Sequence, residues 1–305
     1  MNSQVITQVI ILFLIIFVGI YARKRNFINK TINDGLSRLL INVTLPLMVF
    51  NSFTSKISRD MIANAEKIFI YAVIIHAAII IFSKIAYFKT SKEQRGVAKF
   101  VTLFSNSGFM GYPILNGLYG NVGVFYCAIF GIVFNVFMFT YGIMVLKEEN
   151  DKNFLSQLKK IISNPVIISM IAGMLVFLFN IKLPYVLSTA ISSVGSITPP
   201  LSMIIVGSML AGTDIKSAVS GKNVYILSFI RLLAMPIFSW LILKALGAPS
   251  LIIDIIVLLE AMPAASNVAM LTIEYGGDEL LSVKSIFVST VLSMISIPII
   301  IKFLL

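Results

Sequence analysis

The chain has 305 residues, of which 58% are hydrophobic and only 12% are charged, whereas soluble globular domains carry roughly 25% charged residues. This composition excludes an ordinary soluble domain and predicts an integral membrane protein, because a spanning helix takes about 20 apolar residues and the length holds about ten such helices. The net charge of +11 does not indicate nucleic-acid binding, since the basic residues lie in short loops between apolar runs, where membrane topology places them.

In chain order, the apolar runs predict an all-α membrane protein with ten transmembrane helices. No cleavable leader is expected, because the first run has no basic residue before it and is followed by Arg23, Lys24 and Arg25. The predicted spans are residues 5–22, 35–53, 67–86, 97–119, 122–146, 161–180, 188–211, 223–244, 251–275 and 282–304.

The loop charges predict the orientation of these spans. Basic residues concentrate in the loops after spans one, three, five, seven and nine, and the positive-inside rule places that side in the cytoplasm. Both termini are then extracellular, and the expected location is the plasma membrane. The basic residues after the first three of these spans are Arg23, Lys24, Arg25 and Lys30, then Lys89, Lys92 and Arg95, then Lys147, Lys152, Lys159 and Lys160.

The polar connection at 147–160 divides the chain into two five-span halves, 1–146 and 161–305. Because five is odd, the second half enters the membrane inverted relative to the first. Matched positions in the halves support an inverted repeat: Thr44–Pro46 with Thr198–Pro200 in the second span, Pro113 with Pro263 in the fourth, and Tyr119-Gly120 with Tyr275-Gly276 at its end. Inverted repeats with interrupted helices are typical of secondary transporters.

Spans four and nine contain the residues that interrupt helices. Proline lacks an N–H and frees a carbonyl one turn earlier, glycine lets the backbone leave helical geometry, and asparagine or serine can replace the lost hydrogen bonds or contact a ligand. Such breaks are tolerated in hydrocarbon only where they line a cavity or are buried in protein. The alternative is a pair of kinked helices packed for shape alone. The predicted substrate-binding residues are Asn106, Gly108, Gly111, Pro113 and Asn116 in span four and Pro263, Ser266 and Asn267 in span nine.

Three ionisable residues inside spans are functional candidates. Glu260 lies three residues before Pro263 and is predicted to bind a coupling cation, Na+ or a proton; the alternative is a buried ion pair with Arg231 that fixes packing. Arg231 itself either snorkels or acts electrostatically, through an internal acid or towards anions. His76, the single histidine, fits either a packed polar residue or a proton relay.

Other chemistry has no support in the sequence. One histidine and one cysteine cannot build a zinc site, and neither a nucleophile elbow nor a phosphate-binding glycine loop is present. We therefore expect no enzyme activity, no metal centre and no cofactor apart from a coupling ion.

The broken spans resemble those of a known family. Asn106–Gly120, NSGFMGYPILNGLYG, resembles the fourth-span motif of the auxin efflux carrier family, which in plant members reads N-T-x-x-M-G-x-P-L-L-x-G-x-Y-G. The segment from Ala261-Met262-Pro263 to Glu274-Tyr275 resembles the ninth span, and Arg231 with Pro236 the eighth. Three differences stand out: the central loop is short, Asn116 replaces a lysine of the plant motif, and Glu260 has no acidic counterpart there.

The resemblance implies a ten-helix inverted-repeat fold shared with bile acid sodium symporters. Spans one, two, six and seven would form a scaffold, and spans three to five and eight to ten a moving transport domain. The crossing of spans four and nine would hold an organic anion, and bacterial members are associated with malonate, malate and similar carboxylates. Bile acid symporters also place a glutamate at this crossing as a sodium ligand, which implies the same for Glu260.

The sequence thus predicts a secondary carrier of a small organic anion that works by alternating access. The alternatives are a sodium-coupled symporter of larger amphipathic anions and an anion channel; a receptor would normally need a signalling domain, for which no sequence is left. The expected partners are the anion and membrane lipids, and a homodimer is left open.

Overall fold

The computed structural model describes residues 2–54, 58–147 and 159–305, so most of the predicted connection at 147–160 lies outside the described residues. The described chain is helical, and its one element of β-structure is an isolated bridge. The α-helices are α1 (Asn2–Lys24), α2 (Lys30–Leu39), α3 (Leu45–Thr54), α4 (Arg59–Ala86), α5 (Lys92–Leu103), α6 (Tyr112–Phe137), α7 (Ile143–Leu146), α8 (Pro165–Leu178), α9 (Tyr185–Gly195), α10 (Thr198–Ala211), α11 (Ile215–Ala218), α12 (Lys222–Phe229), α13 (Met235–Ala245), α14 (Ser250–Ala261), α15 (Val268–Tyr275) and α16 (Glu279–Leu304).

The predicted all-α membrane class is confirmed. Within the described residues, seven helices are long and apolar enough to cross a membrane, and α8 is a shorter apolar helix. One of the seven, Ser107–Leu146, has 40 residues, which is about 60 Å of helix against a hydrocarbon core of about 30 Å. It bends at Gly120, whose backbone is not helical (φ 57°, ψ −143°). The count of ten spans and the inverted repeat stay predictions.

Wide π-helical turns precede three of the prolines. Leu40–Thr44 comes before Pro46, Ser107–Gly111 before Pro113, and Ile230–Ala234 before Pro236. A proline ring clashes with the carbonyl four residues earlier and removes one hydrogen bond, and in each case that earlier residue is the middle one of the π turn. The widened turn therefore absorbs the proline without ending the helix, and π turns of this kind are frequent at functional sites.

The chain forms two compact units, of which the first comprises residues 1–66, 108–129 and 159–213. Helices α1 and α10 approach closely in this unit, because a Cβ on Gly19 would lie 2.1 Å from the carbonyl oxygen of Ile204 and one on Gly207 would lie 2.0 Å from that of Ile16. Glycine is therefore required at both positions for the two backbones to touch.

The second unit comprises residues 67–107, 130–158 and 214–305. Residues 108–129 aside, predicted spans one, two, six and seven fall in the first unit and predicted spans three, eight, nine and ten in the second. Their division into a scaffold and a transport domain stays a prediction. The predicted halves 1–146 and 161–305 are repeats along the sequence and do not coincide with the two compact units. The division into these halves stays a prediction.

Candidate functional site

Two helices of the second unit stop and meet at an antiparallel bridge. Helix α5 ends at Leu103 and α14 at Ala261, and Ser105 then pairs with Ala264. The amide of Asn106 donates to the carbonyl of Pro263 over 2.7 Å, and the amide of Ala265 donates to the carbonyl of Phe104 over 3.0 Å. Each unwound segment thus satisfies backbone groups of the other, which a break inside the membrane requires.

The break in span nine follows from local sequence. Proline disfavours helical geometry in the residue before it, and Met262, which precedes Pro263, is extended (φ −65°, ψ 149°). Helix α14 therefore ends at Ala261. The amide of Ala264 is bonded to the Ser289 hydroxyl of α16 over 3.0 Å, so a neighbouring helix also holds the unwound segment.

The break in span four lies earlier than its glycines and its proline suggest. The chain leaves the helix at Phe104 (φ −112°, ψ 112°), whereas Gly108 and Gly111 belong to the π turn that follows and Pro113 to the first turn of α6. The proline is absorbed by the π turn, and the bridge to span nine fixes where the helix stops.

Arg231 holds the ends of both interrupted helices. It is fully buried and lies in the π turn Ile230–Ala234. Its Nη1 donates to the carbonyl of Thr102 near the end of α5 over 2.7 Å, its Nε donates to the carbonyl of Met262 over 3.2 Å, and its Nη2 donates to the carbonyl of Glu260. Helix C-termini carry partial negative charge, so a guanidinium at two of them stabilises both.

The same guanidinium forms an ion pair with Glu260. Nη2 of Arg231 lies 2.6 Å from Oε2 of Glu260, whose side chain is 1% exposed. This geometry is that of the packing pair which the sequence analysis gave as the alternative. Coupling-cation binding by Glu260 stays a prediction, and it requires the carboxylate to exchange the guanidinium for a cation.

Amide and hydroxyl side chains line the unwound segments. Nδ2 of Asn106 donates to the Ser266 hydroxyl over 2.9 Å, and Nδ2 of Asn267 faces the Met138 sulfur at 3.1 Å, which is a weak acceptor. Among the described residues, the buried Oδ1 of Asn267 and the Ser105 hydroxyl have no hydrogen-bond partner. The unwound segments therefore carry polar groups that can form further hydrogen bonds.

The structure brings together Asn106, Pro263, Ser266 and Asn267 in the second unit. The other four predicted residues, Gly108, Gly111, Pro113 and Asn116, belong to the first unit, in the π turn and the start of α6.

Three residues of the site were not predicted: Thr102 takes part through its carbonyl, Ser105 through an unpaired hydroxyl and Ser289 through its bond to Ala264. Ser105 could have been found, because it directly precedes the Asn106 motif. The other two carry no signal in the sequence.

His76 lies in an aromatic cluster of the second unit. Its Nδ1 lies 2.8 Å from the carbonyl oxygen of Ala72, and since a carbonyl only accepts, that nitrogen carries the hydrogen. Its ring stacks on Phe137 with centroids 5.2 Å apart, and Phe104, Phe130 and Phe134 surround it. Its Nε2 has no partner among the described residues. These contacts are those of a packed polar residue; the proton-relay alternative is a prediction that they do not test.

Comparison with known proteins decides the family. The profile of the family described as "Membrane transport protein" matches residues 4–301, nearly the whole chain. The chain belongs to the membrane transport protein family. The resemblance to the auxin efflux carriers is thereby confirmed at family level, and the protein is a multi-pass membrane transporter.

Three relatives of this membrane transport protein are named as uncharacterized transporters. One from Methanocaldococcus jannaschii is 24% identical over 301 residues, with 95% of each chain covered. One from Methanothermobacter thermautotrophicus is 25% identical over 302 residues, covering 97% of this chain and 96% of the relative. One from Escherichia coli K12 is 23% identical over 266 residues, or 83% of each chain.

Proposed function

We propose that the protein is a secondary transporter that moves a small organic anion, a carboxylate, across the membrane by alternating access. The observation that carries this proposal is the pair of interrupted helices joined at the bridge of Ser105 and Ala264. Discontinuous helices of this kind supply substrate sites in secondary transporters, because unwound backbone and half-helix ends offer partial charges inside the membrane.

The chemistry of the bridge favours an anion with several acceptor oxygens. Helix α15 begins at Val268, and the side chain of its N-cap residue, Asn267, makes no capping hydrogen bond. A helix N-terminus carries partial positive charge and attracts a carboxylate. A half-turn of the Asn267 amide would exchange its unpaired Oδ1 for Nδ2, since the two are interchangeable in placement, and would offer the anion a donor at the start of α15.

The charge balance fits a carrier that also releases its cargo. Arg231 and Glu260 neutralise one another, so the anion would be held by helix dipoles, amides and hydroxyls rather than by a full opposite charge. A site that binds too tightly cannot turn over, whereas hydrogen bonds of about 0.5–1.5 kcal/mol net each allow reversible binding.

Ten spans in two inverted halves complete the proposed architecture. The 40-residue segment Ser107–Leu146 would supply the second half of span four and all of span five. Both Tyr-Gly pairs have a glycine with positive φ, 57° at Gly120, where α6 is kinked, and 103° at Gly276, where α15 ends. Cysteine labelling from outside is expected to reach a Cys at Asn2 and to miss one at Asp151, which lies outside the described residues.

Coupling to Na+ or a proton through Glu260 belongs to the same proposal. A charged acid near mid-membrane costs at least about 2.5–3.5 kcal/mol, so the carboxylate needs a counter-charge in every state. Arg231 supplies it in the present geometry, and a cation would supply it when the pair separates. If wild-type transport is the same with and without a Na+ or proton gradient, coupling is contradicted.

A thermal-shift screen tests the proposed substrate class. The purified protein would be heated with malonate, malate and larger amphipathic anions, with and without Na+, at two pH values. A carrier of small carboxylates is stabilised by the dicarboxylates, because a ligand at 100 times its Kd adds about 2.7 kcal/mol. Stabilisation by amphipathic anions alone, and only with Na+, would support the symporter alternative. The channel alternative needs a transport measurement, in which conductance without exchange would support it.

A further inference from the structure

An apolar groove lies on the second unit, away from the bridge. It runs along α12 and the following π turn on one side and along α16 on the other, with a volume of about 610 Å³. Tyr225, Phe229, Leu292 and Ile295 line it and remain 38–65% exposed. A concave apolar surface between two membrane helices is suited to a hydrocarbon chain.

The length and the charge of the groove point to one kind of occupant. The lining residues of α12 and the π turn run from Lys222 to Leu233, about 16 Å of helix, which matches one leaflet of a hydrocarbon core about 30 Å thick. Lys222 lies at one end. Lys284 lies at the same end, since its Nζ bonds the Ser220 hydroxyl over 2.7 Å. Neither lysine has a carboxylate within ion-pair distance among the described residues.

Two buried hydroxyls lie beneath the surface of the groove. Ser228 and Ser296 are lining residues, 0% and 7% exposed, and neither hydroxyl has a hydrogen-bond partner in the described part of the chain. An unpaired hydroxyl in an apolar medium is costly. Both oxygens are shielded from the groove, so the surface that a lipid chain would contact is apolar.

We propose that this groove is a binding site for an anionic phospholipid of the bilayer. One acyl chain would lie between α12 and α16, and the phosphate would contact Lys222 and Lys284. The groove also covers the π turn that carries Arg231, through Leu232 and Leu233. A bound lipid therefore supports the turn that holds the two interrupted helices. The proposal needs only a membrane and does not rest on the substrate.

Native mass spectrometry of the detergent-purified protein tests this site. The protein would be incubated with phosphatidylglycerol or phosphatidylcholine, and the retained lipid counted. We expect one strongly retained phosphatidylglycerol. Lys222→Gln should weaken its retention about fivefold, from about 1 kcal/mol per basic residue, and leave phosphatidylcholine unchanged. Ile295→Trp, at a 65% exposed position, should weaken both lipids by filling the groove.

Two control variants keep the same chemistry outside the groove. Lys302 lies near the other end of α16, and Ile168, which is 53% exposed, lies on α8 of the first unit. The variants Lys302→Gln and Ile168→Trp should both retain lipid like the wild type. Equal retention of the two lipids by the wild type would overturn the proposal. Unchanged lipid retention in Ile295→Trp would also overturn it. So would a wild-type dimer that Ile295→Trp converts to a monomer, because a second copy of the chain would then be the occupant of the groove.

Discussion

Replacing Arg231 with methionine should destabilise the protein more than replacing its ion-pair partner Glu260 with glutamine. The reason lies in how the four hydrogen bonds of the guanidinium are distributed. Three go to the backbone carbonyls of Thr102, Glu260 and Met262, and one goes to the Glu260 carboxylate. Glu260→Gln removes the charge partner and leaves all three carbonyl bonds. Arg231→Met removes every bond and leaves a buried carboxylate.

The expected magnitudes follow from those contacts. Breaking a buried ion pair costs about 3–5 kcal/mol, and the remaining carbonyl bonds place Glu260→Gln near the lower end, about 3 kcal/mol. Arg231→Met adds three unsatisfied carbonyls at about 1–3 kcal/mol each, for a total of at least about 6 kcal/mol. This loss is comparable with the whole stability of many proteins, about 5–15 kcal/mol. Arg231→Lys keeps the charge without the planar fork and should fall between the two.

The assay is thermal and denaturant unfolding of the purified variants, followed by the fluorescence of Trp240, the one tryptophan, with size-exclusion chromatography as the test of folding. We expect Glu260→Gln to elute as a folded protein with a lowered unfolding midpoint and Arg231→Met to aggregate or fail to accumulate. If Arg231→Met is as stable as Glu260→Gln, the guanidinium does not hold the helix ends and the reasoning is refuted.

Three further predictions concern the bridge and the packing. Asn106→Ala and Asn267→Ala should each lower uptake while the unfolding midpoint moves little; normal uptake in both would demote these amides to packing. Pro263→Ala should reduce transport strongly, because the residue before it becomes free to adopt helical geometry and the bridge is lost; normal uptake would show that the bridge forms without the proline. Gly207→Ala would place a Cβ 2.0 Å from a backbone oxygen of α1 and should cost about 1–3 kcal/mol, measured by unfolding against Gly35→Ala, where nothing lies within 4 Å.

The features predicted correctly are those that local chemistry determines. Proline sets the backbone of the residue before it, so Pro263 fixes the end of α14 from sequence alone. Glycine tolerates positive φ, so Gly120 lies at the kink of α6 and Gly276 at the end of α15. The membrane class is also predictable from sequence, because it follows from the apolar composition and not from any particular contact.

The features that were not predicted depend on residues far apart in the chain. Asn106 and Ser266 are 160 positions apart, and no pattern in either segment shows that the two unwound backbones pair. The break in span four is displaced from Pro113 because that proline is absorbed by the preceding π turn, a response that sequence does not distinguish from a break. A pair with an internal acid was one of the alternatives for Arg231, but its three carbonyl contacts arise only when α5 and α14 end at the same place.

Counterflow in proteoliposomes distinguishes a carrier with its site at the bridge from a channel. Vesicles containing the purified protein would be loaded with unlabelled malonate or malate, and the entry of labelled anion followed with time in the wild type and in Asn267→Ala. We predict a transient, saturable accumulation of label that depends on internal unlabelled anion and is reduced in the variant. Entry that ignores internal anion, rises linearly with concentration and is unchanged in Asn267→Ala would contradict a carrier with its site at the bridge.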